Sequence, residues 1–258
     1  MWFFLLRKQC EVVESENDRK GEKDMAYIIA LMILCLAYVI CIVCMKYMRN
    51  TKCFNLIFMG LVYASYLLLS YTIYRNAGFD DWNFRNTLPT ANVSPFMFSM
   101  MPVLLCLPQK VKNHIHLLIS LLSVGMVASG ALGCVYYAAI RYAFHPHFLL
   151  DFGAHFLLSL FGIYLVRSGQ VEINRRNCLI SGAMIYGVAA CMLVHNIVFD
   201  TAFFGLSLSG KHNIYNNVLV ESGYLSAVIY FVGLGLILLL GAGYCRLFRS
   251  CKKQIGCR

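Results

Sequence analysis

The chain has 258 residues, and 60% of them are hydrophobic, against roughly 45–50% in a soluble domain. Charged residues are 13% and mean hydropathy is +0.66, which excludes a disordered chain, a fibrous repeat and an ordinary soluble enzyme. The net charge of +10 is therefore read as a mark of membrane sidedness, and nucleic acid is not an expected partner.

Residues 1–24 hold five basic and six acidic side chains, and the apolar run Trp2–Leu6 is far too short for the core of a signal peptide. They are read as an N-terminal extension. One reading places the natural start at Met25, because Lys20-Gly21-Glu22 can be encoded by a stretch containing a bacterial ribosome-binding sequence. Residues 25–246 form the expected transmembrane domain, and residues 247–258 a basic cytoplasmic tail.

A spanning helix needs about 20 mostly apolar residues. Seven such segments follow one another: Ala26–Met45, Phe54–Ile73, Val93–Leu107, Ile115–Ala138, His147–Val166, Cys178–Val198 and Gly223–Tyr244. The expected fold is all-α, a polytopic seven-helix bundle in the cell membrane. The third segment is the short one and contains Pro95 and Pro102, with Pro108 just after it. Its rise of about 22 Å falls short of a roughly 30 Å hydrocarbon core. Either it starts part-way into the membrane under a cover of protein, or it is a kinked and tilted helix.

Lys and Arg fix the expected orientation. The linkers after spans one, three and five and the C-terminal tail carry thirteen of them, and the linkers after spans two, four and six carry four. The C-terminus is then cytoplasmic and the N-terminus outside.

Twelve cysteines suggest a disulfide framework at first sight. Cys35, Cys41, Cys44, Cys106, Cys134 and Cys191 lie within apolar runs, where Cys acts as a small hydrophobe. Cys41 and Cys44 have CxxC spacing, but inside a lipid-phase helix the packing reading is preferred over redox or metal chemistry. Cys134 and Cys191 stand in the outer half, with nothing nearby in sequence to activate them. Cys245, Cys251 and Cys257 belong to a reduced basic tail. Gly125, Ser129, Gly130 and Gly133 on span four, Gly182 and Gly187 on span six, and Gly233, Gly235, Gly241 and Gly243 on span seven mark close helix packing.

Ionisable residues within spans are costly and mark function by default. Only Asp151 lies well inside a span, and Asp200 and Glu221 sit at span edges. The topology places His145, His147, Asp151, His155, His195, Asn196, Asp200, Glu221 and Tyr224 in the outer half, with Asn92 and Ser94 at the start of span three. These residues predict an outward polar cavity built from spans three, five, six and seven. His147, Asp151 and His155 are spaced four apart, so neighbours in the series lie within hydrogen-bonding reach on one helix face. Asp151 can thus orient His155 and offer it a counter-charge, as in a hydrolase dyad. The same residues serve equally as polar glue between helices. His147 and His155 are about 12 Å apart along the axis, too far to share one ion. Asp151 and His155 would need His195 or Asp200 to complete a metal shell, and no resident metal or cofactor is expected. Thr90, Asn92 and Ser94 read either as helix caps or, for a hydroxyl, as a nucleophile. The apolar linker Thr201–Ser209, with Phe203, Phe204, Leu206 and Leu208, is either a lid over the cavity or an interfacial segment.

Three segments add a resemblance. They are Leu88-Pro89-Thr90-Ala91-Asn92-Val93-Ser94-Pro95-Phe96, the run from His147 through Asp151 to His155-Phe156, and the polar linker before the last span. With seven spans in this order, the chain from Met25 onward resembles the YwaF-like integral membrane proteins, a family with a eukaryotic branch of lipid acyltransferases. The resemblance implies a seven-helix fold, a His within span five, matched by His155, and a Leu-Pro-Leu-His-Leu-Cys-like run at the start of span three. The second motif departs here: the family Cys falls on Val93 or on Ala91, depending on the alignment, and neither is a nucleophile. The expected function is binding of a lipid headgroup or small polar molecule, with an atypical or degenerate acyltransferase or hydrolase as its catalytic form. His155 is then the base and Asp151 its orienter, with Asn92, Ser94, His147, His195, Asp200 and Glu221 lining the site. The alternatives are a transporter or channel for a small polar solute and a non-catalytic sensor or assembly protein.

Overall fold

Each segment expected to be apolar and spanning contains a helix, although the third is helical only as far as Val103. The computed structural model describes residues 20–45, 52–77, 88, 93–140, 146–199, 206 and 223–248; side chains are described for 29–30, 32–45, 53–75, 88, 93–127, 149–199, 206 and 227–247. Among these residues there are seven helices and no strand: α1 (Lys20–Cys44), α2 (Lys52–Ala77), α3 (Val93–Val103), α4 (Gln109–Ile140), α5 (Pro146–Arg167), α6 (Arg175–Phe199) and α7 (Gly223–Phe248). Four of them contain stretches long and apolar enough to cross a membrane: Cys53–Arg75, Leu149–Arg167, Arg175–Phe199 and Ala227–Leu247. The chain is thus a helical protein of membrane-embedded type.

The helices begin and end where their sequences dictate. The Asn174 side chain accepts the Asn177 N–H at 2.7 Å and so caps the start of α6. Gly169, with φ of 74°, ends α5: Gln170 N–H bonds Leu165 O at 3.0 Å and Gly169 N–H bonds Val166 O at 3.2 Å. That pair of bonds is a Schellman stop, which needs a left-handed residue and so favours glycine. The chain then turns inward, burying Val171 and Ile173.

Helix α3 is shorter than the expected span. It has 11 residues, a rise of about 16 Å, and it stops one residue after Pro102, which has no N–H to continue the ladder. Its Val93, Ser94, Pro95, Met97, Phe98 and Met101 are buried, so protein covers this half-length element.

Helix α5 is the hub. Of its membrane-length stretch 72% is buried, against 17–22% for the other three. It packs on α1, α2, α4 and α7, while α4 packs on α5, α6 and α7, and α3 on α2. Aromatic contacts hold it there. Phe54 and Phe58 of α2 meet Tyr164 and Phe161 of α5 at ring centroid distances of 4.9 and 5.3 Å. Tyr38 of α1 packs on Phe156 at 4.5 Å.

Helices α4 and α7 touch backbone to backbone. A Cβ placed on Gly125 would stand 2.1 Å from Ile237 O, and one on Gly241 would stand 1.8 Å from Leu121 O. The pairs 121–241 and 125–237 run in opposite directions, as antiparallel neighbours require. Among the described span-seven glycines, only Gly241 makes such a backbone contact. Gly235 faces the Tyr186 hydroxyl, and Gly233 and Gly243 face open space.

Candidate functional site

Asp151 and His155 form the expected pair on α5. His155 Nδ1 lies 2.7 Å from Asp151 O and 3.2 Å from Asp151 Oδ1. A backbone carbonyl only accepts, so Nδ1 is the protonated nitrogen, and in the neutral ring Nε2 carries the lone pair. The pair is made within one helix turn, so its shape is set by α5 alone. The surroundings are apolar and aromatic. Phe98 of α3 meets the imidazole edge-on at 5.6 Å, and Phe98 itself stacks on Tyr66 of α2 at 5.2 Å with planes 3° apart. The His155 side chain is 7% exposed and that of Asp151 22%, so the carboxylate is the more accessible end of the pair. A histidine oriented by a carboxylate and walled by aromatic rings can bind a polar group, hold a proton or act as a base.

The other expected site residues divide into three groups. Ser94 is buried on α3, four residues before Phe98 and hence on the same helix face. His195 is half-buried on α6, its ring 4.6 Å from that of Phe199. Asn92, Asp200, Glu221 and the side chain of His147 lie outside the described residues, as do the side chains of His145, Cys134 and Tyr224.

The grouping of helices differs from the expected cavity of spans three, five, six and seven. The substantial contacts of α6 are with α4 and α7, and those of α5 are with α1, α2, α4 and α7. Hydrogen bonds hold α6 there: Ser181 Oγ donates to His114 O of α4 at 3.0 Å, and Tyr186 OH to Phe231 O of α7 at 2.7 Å. Asn196, also on α6, spends its side-chain amide on Leu206 O, and Leu206 is buried in the main core. Leu206, from the apolar 201–209 linker, therefore lies against the bundle.

Sequence reasoning missed a second set of polar residues. His116, Ser120 and Ser123 of α4 and Ser159 of α5 are buried. Ser120 Oγ donates to His116 O at 2.8 Å and to Gly162 O at 3.0 Å, and Tyr38 OH shares a 2.6 Å bond with Ser159 Oγ. Their spacing was a usable signal. Ser159 extends the four-residue series of Asp151 and His155, and positions 116, 120 and 123 share one helix face. At the far end of α5, Asn55 and Gln170 pair through both amide groups at 2.8 and 3.0 Å, and Tyr164 OH donates to Asn55 Oδ1 at 2.6 Å. Arg167 Nη1 donates to Ile42 O in the last turn of α1. These bonds tie the ends of α1, α2 and α5 together.

The described cysteines are all free thiols, and Cys44 is exposed while Cys41 is half-buried. No group of three or more His, Cys, Asp or Glu that suits a metal ion occurs among the described residues. Compared with protein families, curated proteins and solved structures, the chain matches none of them.

Proposed function

We propose that the protein is a seven-span cell-membrane protein of YwaF-like type, with its N-terminus outside and its C-terminus cytoplasmic. Its Asp151–His155 pair binds the polar headgroup of a membrane lipid, or a small polar molecule of like chemistry, from the outer side. The observation that carries this reading is the pair itself: a histidine whose tautomer is fixed by Asp151, set in an aromatic wall, with the carboxylate as its more exposed end. Asp151 stands in the second turn of α5, near the end of its membrane-length stretch, and a carboxylate kept there beside a buried histidine favours a polar ligand or counter-ion. The asymmetry of Lys and Arg in the linkers supports the orientation, and the seven helices support the span count.

In a catalytic form of this reading, Nε2 of His155 is the base and a hydroxyl is the nucleophile. Ser94 is the candidate for that hydroxyl, because it shares a face of α3 with Phe98, which touches the imidazole. The family cysteine has no counterpart at either aligned position, so binding takes precedence over acyl transfer in this chain.

The test is a lipid profile of cells lacking the protein, compared with the same cells carrying wild type, Asp151→Asn or His155→Gln at equal protein levels. Loss of the protein should shift one headgroup class, and neither variant should restore it. Full restoration by both variants would end the site reading.

A further inference from the structure

The polar side chains along α5 do not stop at His155. Ser159 follows at the next four-residue step and bonds to the Tyr38 hydroxyl of α1. One turn further on, α5 has a glycine, Gly162, and here α4 supplies the hydroxyls. Ser120 Oγ donates to Gly162 O, and a Cβ on Gly162 would stand 2.8 Å from Ser123 Oγ. His116, one turn before Ser120, sets its ring edge-on against Phe161 of α5 at 6.1 Å. His116, Ser120, Ser123, His155 and Ser159 are each 6% exposed or less. The result is a seam, a line of buried polar groups where α5 meets α4 and α1.

Two groups in this seam have no hydrogen-bond partner among the described residues: His116 Nε2 and Ser123 Oγ. An unmade buried bond costs about 1–3 kcal/mol, and apolar side chains of the same size would avoid it. Polar groups kept at such a cost, on one helix face and in line with an Asp–His pair, are the pattern of a proton relay in a membrane protein. The length fits. With Ser120 level with Gly162 on antiparallel helices, the seam from Asp151 to His116 rises about 22 Å, most of a roughly 30 Å hydrocarbon core. A four-residue step along either helix rises about 6 Å, a gap that one bridging water spans.

We propose that this seam is a proton path, entered at Asp151–His155 and left at His116. It takes the Asp151–His155 pair of the proposed function as its outer end, and it adds a transported species that the headgroup reading does not need. The balance is one proton in and one out. The His155 ring proton first exchanges from Nδ1 to Nε2; Nδ1 then accepts a proton from the Asp151 side and Nε2 releases its own, which leaves the Nδ1–H form again. Each hydroxyl accepts a proton on a lone pair and passes on its own, and His116 releases a proton at the far end. Rotation of the hydroxyls and exchange of the His116 ring proton restores the start, and no redox partner is involved. The ionisable groups beside the seam include the Tyr38 phenol on Ser159, Lys112, one turn before His116 on α4, and the Cys245 thiol of α7, 3.6 Å from Ser120 O. The rings of Phe98 and Phe161 stand edge-on against His155 and His116.

The full-length protein in liposomes holding a pH-sensitive dye, with a potassium diffusion potential as the driving force, tests the path. Wild type should move protons faster than protein-free liposomes. His155→Gln and His116→Phe should fall to the protein-free leak, and Ser123→Ala should lose several-fold. His114→Gln, a neighbouring histidine whose carbonyl but not whose ring is used in packing, should keep the wild-type rate. His116→Phe should also keep or raise the thermal midpoint, because it removes an unpaired buried group. Wild-type flux at the leak level, undiminished flux in His116→Phe, or failure of both His116→Phe and Ser123→Ala to fold would each overturn the proposal. The two readings fail separately. Leak-level flux with an intact lipid response retires the path alone, and normal flux without any lipid response retires the headgroup reading alone.

Discussion

The contact between α4 and α7 offers the sharpest stability test, because the same helix carries glycines that touch and glycines that do not. Gly241→Ala places a methyl carbon 1.8 Å from Leu121 O, and that oxygen belongs to backbone, which cannot rotate away. A carbon and a carbonyl oxygen settle at about 3.3–3.6 Å, so the helices must part by more than about 1 Å at this point. Overpacking of this kind costs about 1–3 kcal/mol by itself. Opening a packed seam by 0.5–1 Å also forfeits about a quarter to a half of each facing dispersion contact. Leu117, Leu118, Leu121, Leu122 and Leu234 are buried on these two helices and share that loss. A total of about 3 kcal/mol or more is expected for Gly241→Ala, and a similar figure for Gly125→Ala, whose methyl would stand 2.1 Å from Ile237 O. Gly243→Ala, only two residues away, meets nothing within 4 Å and should be neutral or stabilising by up to about 1 kcal/mol through helix propensity. Thermal unfolding in detergent, followed by loss of monodisperse protein, reads all three. Equal midpoints for Gly241→Ala and Gly243→Ala would refute the close backbone contact.

Tyr38→Phe removes the bond to Ser159 and leaves a buried hydroxyl behind, so a loss of about 1–3 kcal/mol is expected in the same unfolding assay. Gln170→Ala breaks the amide pair with Asn55 at the ends of α2 and α5, and should cost about 1–2 kcal/mol and speed proteolysis of the 167–177 linker. Reporter fusions at Lys110–Asn113, at Arg167–Asn177 and after Arg246 should read as cytoplasmic, and those at Arg75–Thr87 and Thr201–Tyr215 as outside. An outside C-terminus would overturn the orientation and the outward placement of Asp151.

The sequence by itself determined the class and most of the elements. Twenty-residue apolar runs with few charges become helices whatever their neighbours, because a backbone in or near lipid must satisfy its own hydrogen bonds. The expected segment His147–Val166 is the helix Pro146–Arg167, and Cys178–Val198 lies within Arg175–Phe199. The Asp151–His155 contact was legible for the same reason: a four-residue step on a helix fixes the geometry of the pair locally. Only the tertiary structure decided which helices are neighbours. Lipid-facing and protein-facing surfaces are both apolar, so hydropathy, which is equal in α5 and α6, does not distinguish the buried helix from the outer one. The choice is made by shape and by a few polar contacts: Gly125 and Gly241 admit α7 to the backbone of α4, Ser181 and Tyr186 hold α6 on the outside of both, and Phe98 brings α3 to His155. The seam of His116, Ser120, Ser123 and Ser159 exists only through that choice, since its members come from two helices whose facing sides no single stretch of sequence records.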